Sequence, residues 1–202
     1  PGEASRSRDE YLQLIEDIAR QQLRATVSVK LTHFGLDVSE ELCRSYLRDL
    51  SAHARAHGTA IEVDMEAHWY VSRTLRLVRE LHEDFGCVRA VIQAYLRRSE
   101  NDLRELSREK IPVRLCKGAY TAPREIAFQG RGEIRDSFLR LARLLLEEGV
   151  HPAFATHDEL IIQKLMEWAR LDGRPRLDVE FQMLYGIRES LHGLLTRGGF
   201  AV

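Results

Sequence analysis

Hydrophobic and polar residues follow two alternating patterns along the chain. Short apolar, β-branched runs are each followed by a longer segment with apolar residues at i, i+3, i+4 and i+7. The first pattern is typical of buried strands and the second of amphipathic helices. The predicted strands cover residues 26–32, 60–64, 88–95, 112–117, 151–156 and 179–182. The predicted helices cover residues 9–23, 39–57, 70–85, 99–108, 134–148, 159–171 and 189–196.

This alternation of strand and helix predicts parallel strands joined by right-handed crossovers. An open doubly wound sheet and a closed barrel both satisfy it. No glycine-rich phosphate loop follows any predicted strand, which counts against the dinucleotide-binding open sheet. We therefore predict an α/β fold of the (β/α)8 TIM-type barrel class, with about six strand–helix units in this chain.

The length of the chain limits how much of a barrel it can contain. A full barrel takes about 250 residues, whereas the chain has 202. A helix comes first, and Ala201 and Val202 resemble the opening of another strand, so the first and last strands are expected to lie outside the chain. Residues 1–8 are expected to be a disordered or boundary segment, and residues 9–202 an incomplete barrel catalytic domain.

Charge and cysteine content argue against several classes of protein. Lys and Arg (30) balance Asp and Glu (31), so no basic field indicates a nucleic-acid partner. Cys43, Cys87 and Cys116 lack a CxxC spacing, which argues against a disulfide framework and fits a reducing compartment. No apolar run approaches the roughly 18–20 residues that span a bilayer. These features favour a cytoplasmic protein.

Polar residues gather where the predicted strands end, which is where barrel active sites lie. These residues are Lys30, Asp64, Glu66, Gln93, Lys117, Tyr120, Thr156, His157 and Gln182. The histidines at 151 and 157 fall at opposite ends of one strand, so no metal site is predicted.

Arg114 and Lys117 place two cations in the otherwise apolar stretch 112–120, P-V-R-L-C-K-G-A-Y. Buried charges need anionic or hydrogen-bonding partners, because burying an unpaired charge costs on the order of several kcal/mol. Asp64 is a candidate partner for Lys30 or for Arg114. Lys117 also has the position of a Schiff-base lysine in barrel lyases, whereas Arg114 favours an anionic or electron-rich ligand.

Six motifs together resemble the proline dehydrogenase family, in its compact monofunctional bacterial form. They are S-V-K-L-T (28–32), V-D-M-E (63–66), I-Q-A-Y (92–95), V-R-L-C-K-G-A-Y (113–120), F-A-T-H-D (154–158) and E-F-Q-M-L-Y-G (180–186). The resemblance implies FAD-dependent oxidation of L-proline to 1-pyrroline-5-carboxylate, the first step of proline catabolism to glutamate. It also implies electron transfer to a quinone, with peripheral contact on the inner face of the bacterial membrane.

The resemblance further assigns roles to individual residues. Lys30 would bind the proline carboxylate, Asp64 would hold the cations in place, and Tyr120 and Leu184 would wall the substrate pocket. The implied cofactor-binding residues are Gln93, Arg114, Lys117, Gly118, Tyr120, Thr156 and His157. Gly118 is expected to allow close approach of the backbone to the flavin.

One part of the family pattern has no counterpart in the sequence. The family's last strand and helix carry a tyrosine, an arginine pair and a glutamate that complete the carboxylate site, and no residues here match them. The substrate site is therefore expected to be incomplete within this chain. Two alternatives stay open at this stage: a Schiff-base barrel lyase using Lys117, and an inactive barrel fragment.

Overall fold

The computed structural model describes residues 2–173 and 175–202. The chain forms two compact units, Pro1–Val91 and Ile92–Val202, with their boundary inside one strand. In each unit, strands that pair in parallel alternate with helices along the chain. The predicted α/β class is therefore confirmed.

The first unit begins with a long helix and then alternates strand and helix. Its elements are α1 (Gly2–Arg20), β1 (Val27–Val29), α2 (Glu40–Ala56), β2 (Ile61–Val63), α3 (Val71–Phe85) and the start of β3 (Val88–Gln93). β2 pairs in parallel with β1 on one side and with β3 on the other. Val29 and Val63 are partners in this register and are fully buried. Burial of these β-branched side chains places the strands in the core.

The second unit repeats this construction. Its elements are α4 (Ser99–Arg108), β4 (Val113–Cys116), α5 (Arg131–Glu148), β5 (Ala153–Ala155), α6 (Glu159–Leu171), β6 (Glu180–Gln182) and α7 (Glu189–Arg197). β5 lies between β4 and β6 and pairs in parallel with both. On one face Leu115, Phe154 and Phe181 form a fully buried row across the three strands. Phe138 of α5 packs against this row, with ring centroids 6.5 Å from Phe154.

Each predicted strand and helix is present, but the strand predicted over residues 26–32 is too long. It ends at Val29, and Leu31–Phe34 form a 3-10 helix that stops at Gly35. The Thr32 backbone N–H and hydroxyl both donate to the Glu66 carboxylate, at 3.1 and 2.6 Å. Because these bonds turn the backbone away from the extended path, the strand cannot continue.

The N-terminal segment also differs from the expectation. Residues 2–8 form the first turns of α1, while Pro1 lies outside the described residues. Ala4 is buried, and the Arg8 guanidinium lies 3.6 Å from Asp49 and over the ring of Tyr46, both on α2. These tertiary contacts extend the helix beyond the range that its own periodicity indicates.

At the other end of the chain, Ala201 pairs in parallel with Glu180 of β6. The Phe181 N–H donates to the Ala201 carbonyl at 2.8 Å. Residues 201–202 therefore begin to extend the sheet beside β6, as the sequence predicts.

Candidate active site

The carboxyl end of β3 is joined to the carboxyl end of β4 by backbone hydrogen bonds. The N–H groups of Ala94 and Tyr95 donate to the carbonyls of Cys116 and Lys117, at 2.8 and 2.9 Å. These bonds continue the strand pairing past the last residue of each strand. The side chains of the two strand ends are therefore carried on a rigid backbone.

Gln93 is the last residue of β3, and its side chain is almost completely buried. Its backbone carbonyl accepts hydrogen bonds from the Ser99 hydroxyl at 2.6 Å and from the Leu96 N–H at 3.2 Å. Because both lone pairs of the carbonyl are engaged, the strand end is fixed at the residue expected to contact the cofactor.

Gly118 follows β4 with φ of +100°, and a Cβ atom built on it would lie 2.2 Å from Cδ1 of Tyr95. The resemblance implies that this glycine lets the backbone approach the flavin closely. The structure adds that the Tyr95 ring leaves no room for a side chain at this position. Tyr95 is 5% exposed, and its hydroxyl makes no hydrogen bond to any residue that the structure describes. Burial raises the pKa of Tyr95, with further contributions from Cys116 and Tyr120, so the buried hydroxyl stays protonated.

Lys117 and Arg135 converge on a single carboxylate, that of Asp158. Lys117 Nζ donates to Asp158 Oδ2 at 2.7 Å, and Arg135 Nε donates to the same oxygen at 3.1 Å. The other oxygen, Oδ1, caps α6 by accepting the N–H groups of Leu160 and Ile161. Burial raises the pKa of Asp158, but the two cationic donors outweigh it and lower that pKa to about 2. The side chain of Lys117 is thereby held in one position.

Arg114 also finds a partner in the second unit. Its Nη1 atom donates to Gln182 Oε1 at 3.0 Å, and Gln182 Nε2 donates to Glu180 Oε1 at 2.7 Å. Both cations of the stretch 112–120 therefore have polar partners, as the sequence predicts.

The residues after β5 and β6 contact each other. The Leu184 N–H donates to His157 Nε2 at 2.9 Å, so this ring nitrogen is placed as an acceptor. Thr156 is buried, and its hydroxyl accepts the N–H of Asp158 at 3.1 Å. The side chains of Tyr120 and Leu184 are exposed by 38% and 65%. Tyr120 thus lies exposed after β4, which carries Arg114, and Leu184 lies exposed after β6.

The first unit contains a second group of candidate residues. Lys30 Nζ lies 3.9 Å from Asp64 Oδ2, so Asp64 pairs with Lys30, one of the two partners that the sequence left open. The Asp64 N–H donates to the Val29 carbonyl at 2.8 Å, so its backbone is fixed to β1. The Lys30 side chain is 44% exposed and that of Asp64 is 22% exposed. This arrangement offers a cation to an incoming ligand while a carboxylate limits its movement.

Sequence reasoning placed Gln182 among the polar strand ends without a specific role, and it assigned no role to Arg135, Asp158 or Glu180. Asp158 had one recognisable signal, because a carboxylate before a helical run is an N-cap residue. Arg135 had no such signal, because its position in the sequence is that of an ordinary charged residue on the surface of a helix. Among residues 2–173 and 175–202, no three His, Cys, Asp or Glu side chains are grouped as metal ligands. The donors of the second unit suit an electron-rich or anionic organic ligand.

Comparison with known proteins gives consistent results. The proline dehydrogenase family model matches residues 1–202. Proline dehydrogenase 1 of Bacillus subtilis is 36% identical over 198 residues, which are 98% of this chain and 66% of that protein. The proline dehydrogenase of Deinococcus radiodurans is 33% identical over 207 residues, covering 100% of this chain and 67% of that protein.

A solved structure of similar fold is proline utilization A (PutA) from Bdellovibrio bacteriovorus, inactivated by N-propargylglycine. It matches with a TM-score of 0.88 and 26% identity, over 99% of this chain and 26% of that protein. A PutA structure with proline bound in remote sites gives a TM-score of 0.88 at 24% identity. The predicted barrel class is confirmed, and residues 2–173 and 175–202 contain six of its strands.

The chain spans 66% of the length of the Bacillus subtilis relatives that it matches. The family match nevertheless extends from the first to the last residue given. The six motifs, the alternating parallel strands and the whole-chain match agree, and the chain belongs to the proline dehydrogenase family.

Proposed function

We propose that this chain forms the catalytic barrel of a flavoenzyme that oxidises L-proline to 1-pyrroline-5-carboxylate. The observation that carries the proposal is the pair of cations, Arg114 and Lys117, held by polar partners at the end of β4 in a member of this family. The reaction would be the first step of proline catabolism to glutamate.

The residues of the second unit fit FAD by their chemistry. An isoalloxazine ring presents nitrogen and oxygen acceptors along its polar edge, and Arg114 and Lys117 are cationic donors. The buried Tyr95 hydroxyl, which has no partner among the described residues, is an additional polar group for a bound molecule. Gln93, Gly118, Tyr120, Thr156 and His157 are the remaining residues proposed to hold the cofactor.

Bound FAD would supply the two-electron acceptor chemistry that no amino-acid side chain provides. The contribution of the chain is electrostatic, because fixed cations stabilise the negative charge that collects on the reduced ring. Asp158, which also accepts from Arg135, keeps Lys117 in one position, so little reorganisation is needed when charge develops. A positively charged environment should also raise the reduction potential of the bound flavin.

Lys30 is proposed to bind the carboxylate of proline, with Asp64 as its positioning residue. The ion pair between them limits the movement of the Lys30 ammonium group. A fixed cation orients the substrate and makes the reaction effectively intramolecular. The exposed side chains of Tyr120 and Leu184 would supply apolar contacts to the substrate ring.

A quinone is proposed as the electron acceptor, which would require peripheral contact with a membrane. Within the part of the chain that the structure describes, no helix combines the length and apolar composition needed to cross a bilayer. Contact by exposed residues is thus the form of membrane association that we propose.

The alternative of a Schiff-base lyase is disfavoured by the environment of Lys117. Carbinolamine formation needs a neutral amine. Lys117 Nζ is instead engaged by the Asp158 carboxylate at 2.7 Å, so it is not free to attack a carbonyl carbon. Borohydride treatment in the presence of substrate should therefore give no adduct on Lys117.

The test is the visible spectrum of the purified protein, recorded before and after anaerobic addition of L-proline. Flavin bands that bleach with proline are expected. In a Lys30→Met variant the bands should remain, but bleaching should need a higher proline concentration. Lys164→Met is the matched control, because this exposed lysine on α6 pairs with Glu167 and should leave both properties unchanged. A colourless protein, or flavin bands insensitive to proline, would contradict the proposal.

A further inference from the structure

A chain of hydrogen bonds links three side chains of the second unit that face the same side of its strands. Arg114 of β4 donates to Gln182 of β6, and Gln182 in turn donates to Glu180, also of β6. An ionised carboxylate only accepts hydrogen bonds, so Glu180 takes the amide NH2 group of Gln182. The amide oxygen is thereby turned toward the guanidinium of Arg114. Glu180 thus sets the orientation of Gln182, and Gln182 presents an acceptor to Arg114.

The link crosses a whole strand, because β5 lies between β4 and β6. Neighbouring strands are about 4.8 Å apart, so the side chains of Arg114 and Gln182 together span about 10 Å to make this contact. In the register of the sheet, Ala153 lies between Arg114 and Glu180, and Ala155 lies between Cys116 and Gln182.

Both residues of β5 on this face are therefore alanines. Phe154, between them in sequence, points to the opposite face, where it packs against Phe181 with ring centroids 6.3 Å apart. The small side chains of Ala153 and Ala155 leave a passage over β5 along which the arginine extends. A branched residue at either position would occupy this passage.

We propose that Gln182 and Glu180 are positioning residues that orient the Arg114 guanidinium for the flavin, and that Ala153 and Ala155 make this possible. The inference rests on the proposed function, since it assumes that Arg114 contacts the flavin. Its physical basis is that a flexible arginine loses most of its rotational freedom before the ligand arrives. A preoriented guanidinium presents its donors in a fixed planar geometry.

The proposal is tested by removing the amide while keeping the size of the side chain, in a Gln182→Leu variant. The flavin dissociation constant, measured by titrating flavin-free protein, should rise about 10-fold or more, as expected for a lost hydrogen bond to a charged group. The visible circular dichroism of the bound flavin should change as well, and its midpoint potential should become more negative. Gln163→Leu, an exposed position on α6, is the matched control and should change none of these.

Two further variants keep the test decisive if Gln182→Leu does not fold. Glu180→Gln lets the amide of Gln182 rotate, because its new partner both donates and accepts. Ala155→Val blocks the passage without removing any polar group. Each should weaken flavin binding and alter the flavin dichroism in the same direction as Gln182→Leu.

A double-mutant cycle with Arg114→Met separates positioning from direct contact. If Gln182 acts through Arg114, then Gln182→Leu should have no further effect on flavin binding in the Arg114→Met background. Additive effects would overturn the positioning role, and so would unchanged flavin binding and dichroism in the single variants. If the wild-type protein binds no flavin, the proposed function fails and this inference fails with it. If the wild-type protein binds flavin and the variants bind it equally well, only this inference fails.

Discussion

Replacing Asp158 by Asn tests whether the charge of this carboxylate, rather than its capping role, organises the candidate site. Asn is as good an N-cap residue as Asp, so the hydrogen bonds to the first turn of α6 are retained. The substitution removes the charge that Lys117 and Arg135 share. The variant therefore isolates the ionic contribution.

The magnitude follows from the pKa of Asp158, which the two cations lower from 3.8 to about 2 against the opposing effect of burial. A difference of this size corresponds to about 2 kcal/mol of folding stability at neutral pH. The side chain of Asp158 is only 11% exposed, but those of Lys117 and Arg135 are 38% and 37% exposed, so solvent screens the interaction in part. The free energy of unfolding at pH 7 should fall by about 2 kcal/mol in Asp158→Asn, as measured by urea denaturation.

The contribution of Asp158 has a defined pH dependence. Because its pKa is lower in the folded protein, the stabilisation is fully present above its unfolded value of 3.8 and is lost as the pH falls toward about 2. The difference in stability between wild type and variant should be constant near neutrality and shrink across this acidic range. Lys117 should also become more mobile, which would weaken flavin binding at neutral pH.

The matched control is Asp172→Asn at the other end of α6. Asp172 pairs with Arg143 at 2.9 Å on the surface, with side chains 28% and 39% exposed. Exposed pairs contribute about 0–1 kcal/mol, so this variant should be nearly as stable as the wild type. The reasoning is refuted if both substitutions cost the same, or if the effect of Asp158→Asn does not change on acidification.

Two further substitutions test the backbone and the buried charges. Gly118→Ala should lower the free energy of unfolding by about 2–4 kcal/mol, because it combines a positive φ with a clash against Tyr95. Gly58 has φ of +69° but no atom within 4 Å of a built Cβ, so Gly58→Ala should lower the free energy of unfolding only by the strain of the positive φ, about 1 kcal/mol. Equal losses of stability in the two variants would contradict the role of the clash. Arg89 lies 2.6 Å from Glu62, with side chains 11% and 1% exposed, so Arg89→Met should cost about 3–5 kcal/mol by leaving a buried carboxylate. The double variant Arg89→Met, Glu62→Leu should recover most of that loss in thermal denaturation, and no recovery would argue against the ion pair.

The strand ends show how far the sequence leads toward the site. Gln93, Lys117 and Thr156 follow apolar runs and lie at or directly after the carboxyl ends of β3, β4 and β5, as the alternation predicts. Asp64 was expected to pair with Lys30 or with Arg114, and the structure shows the pair with Lys30. The strand that was predicted to continue to residue 32 shows the limit, since the Thr32–Glu66 hydrogen bonds that end it join residues 34 positions apart.

The sequence by itself determined the class of fold, the order of the elements and the family. These depend on local periodicity and on motifs, which neighbouring residues define without reference to the rest of the molecule. Glycines, caps and apolar stripes are also local signals, so most element boundaries follow from them.

Only the tertiary structure decided which side chains meet. Lys117 and Asp158 are 41 residues apart, and Arg114 and Gln182 are 68 apart. Their contacts depend on the register of β4, β5 and β6 and on the small size of Ala153 and Ala155. The pairing of distant charges is a property of packed elements, because the energy that selects one partner over another arises only when those elements are brought together.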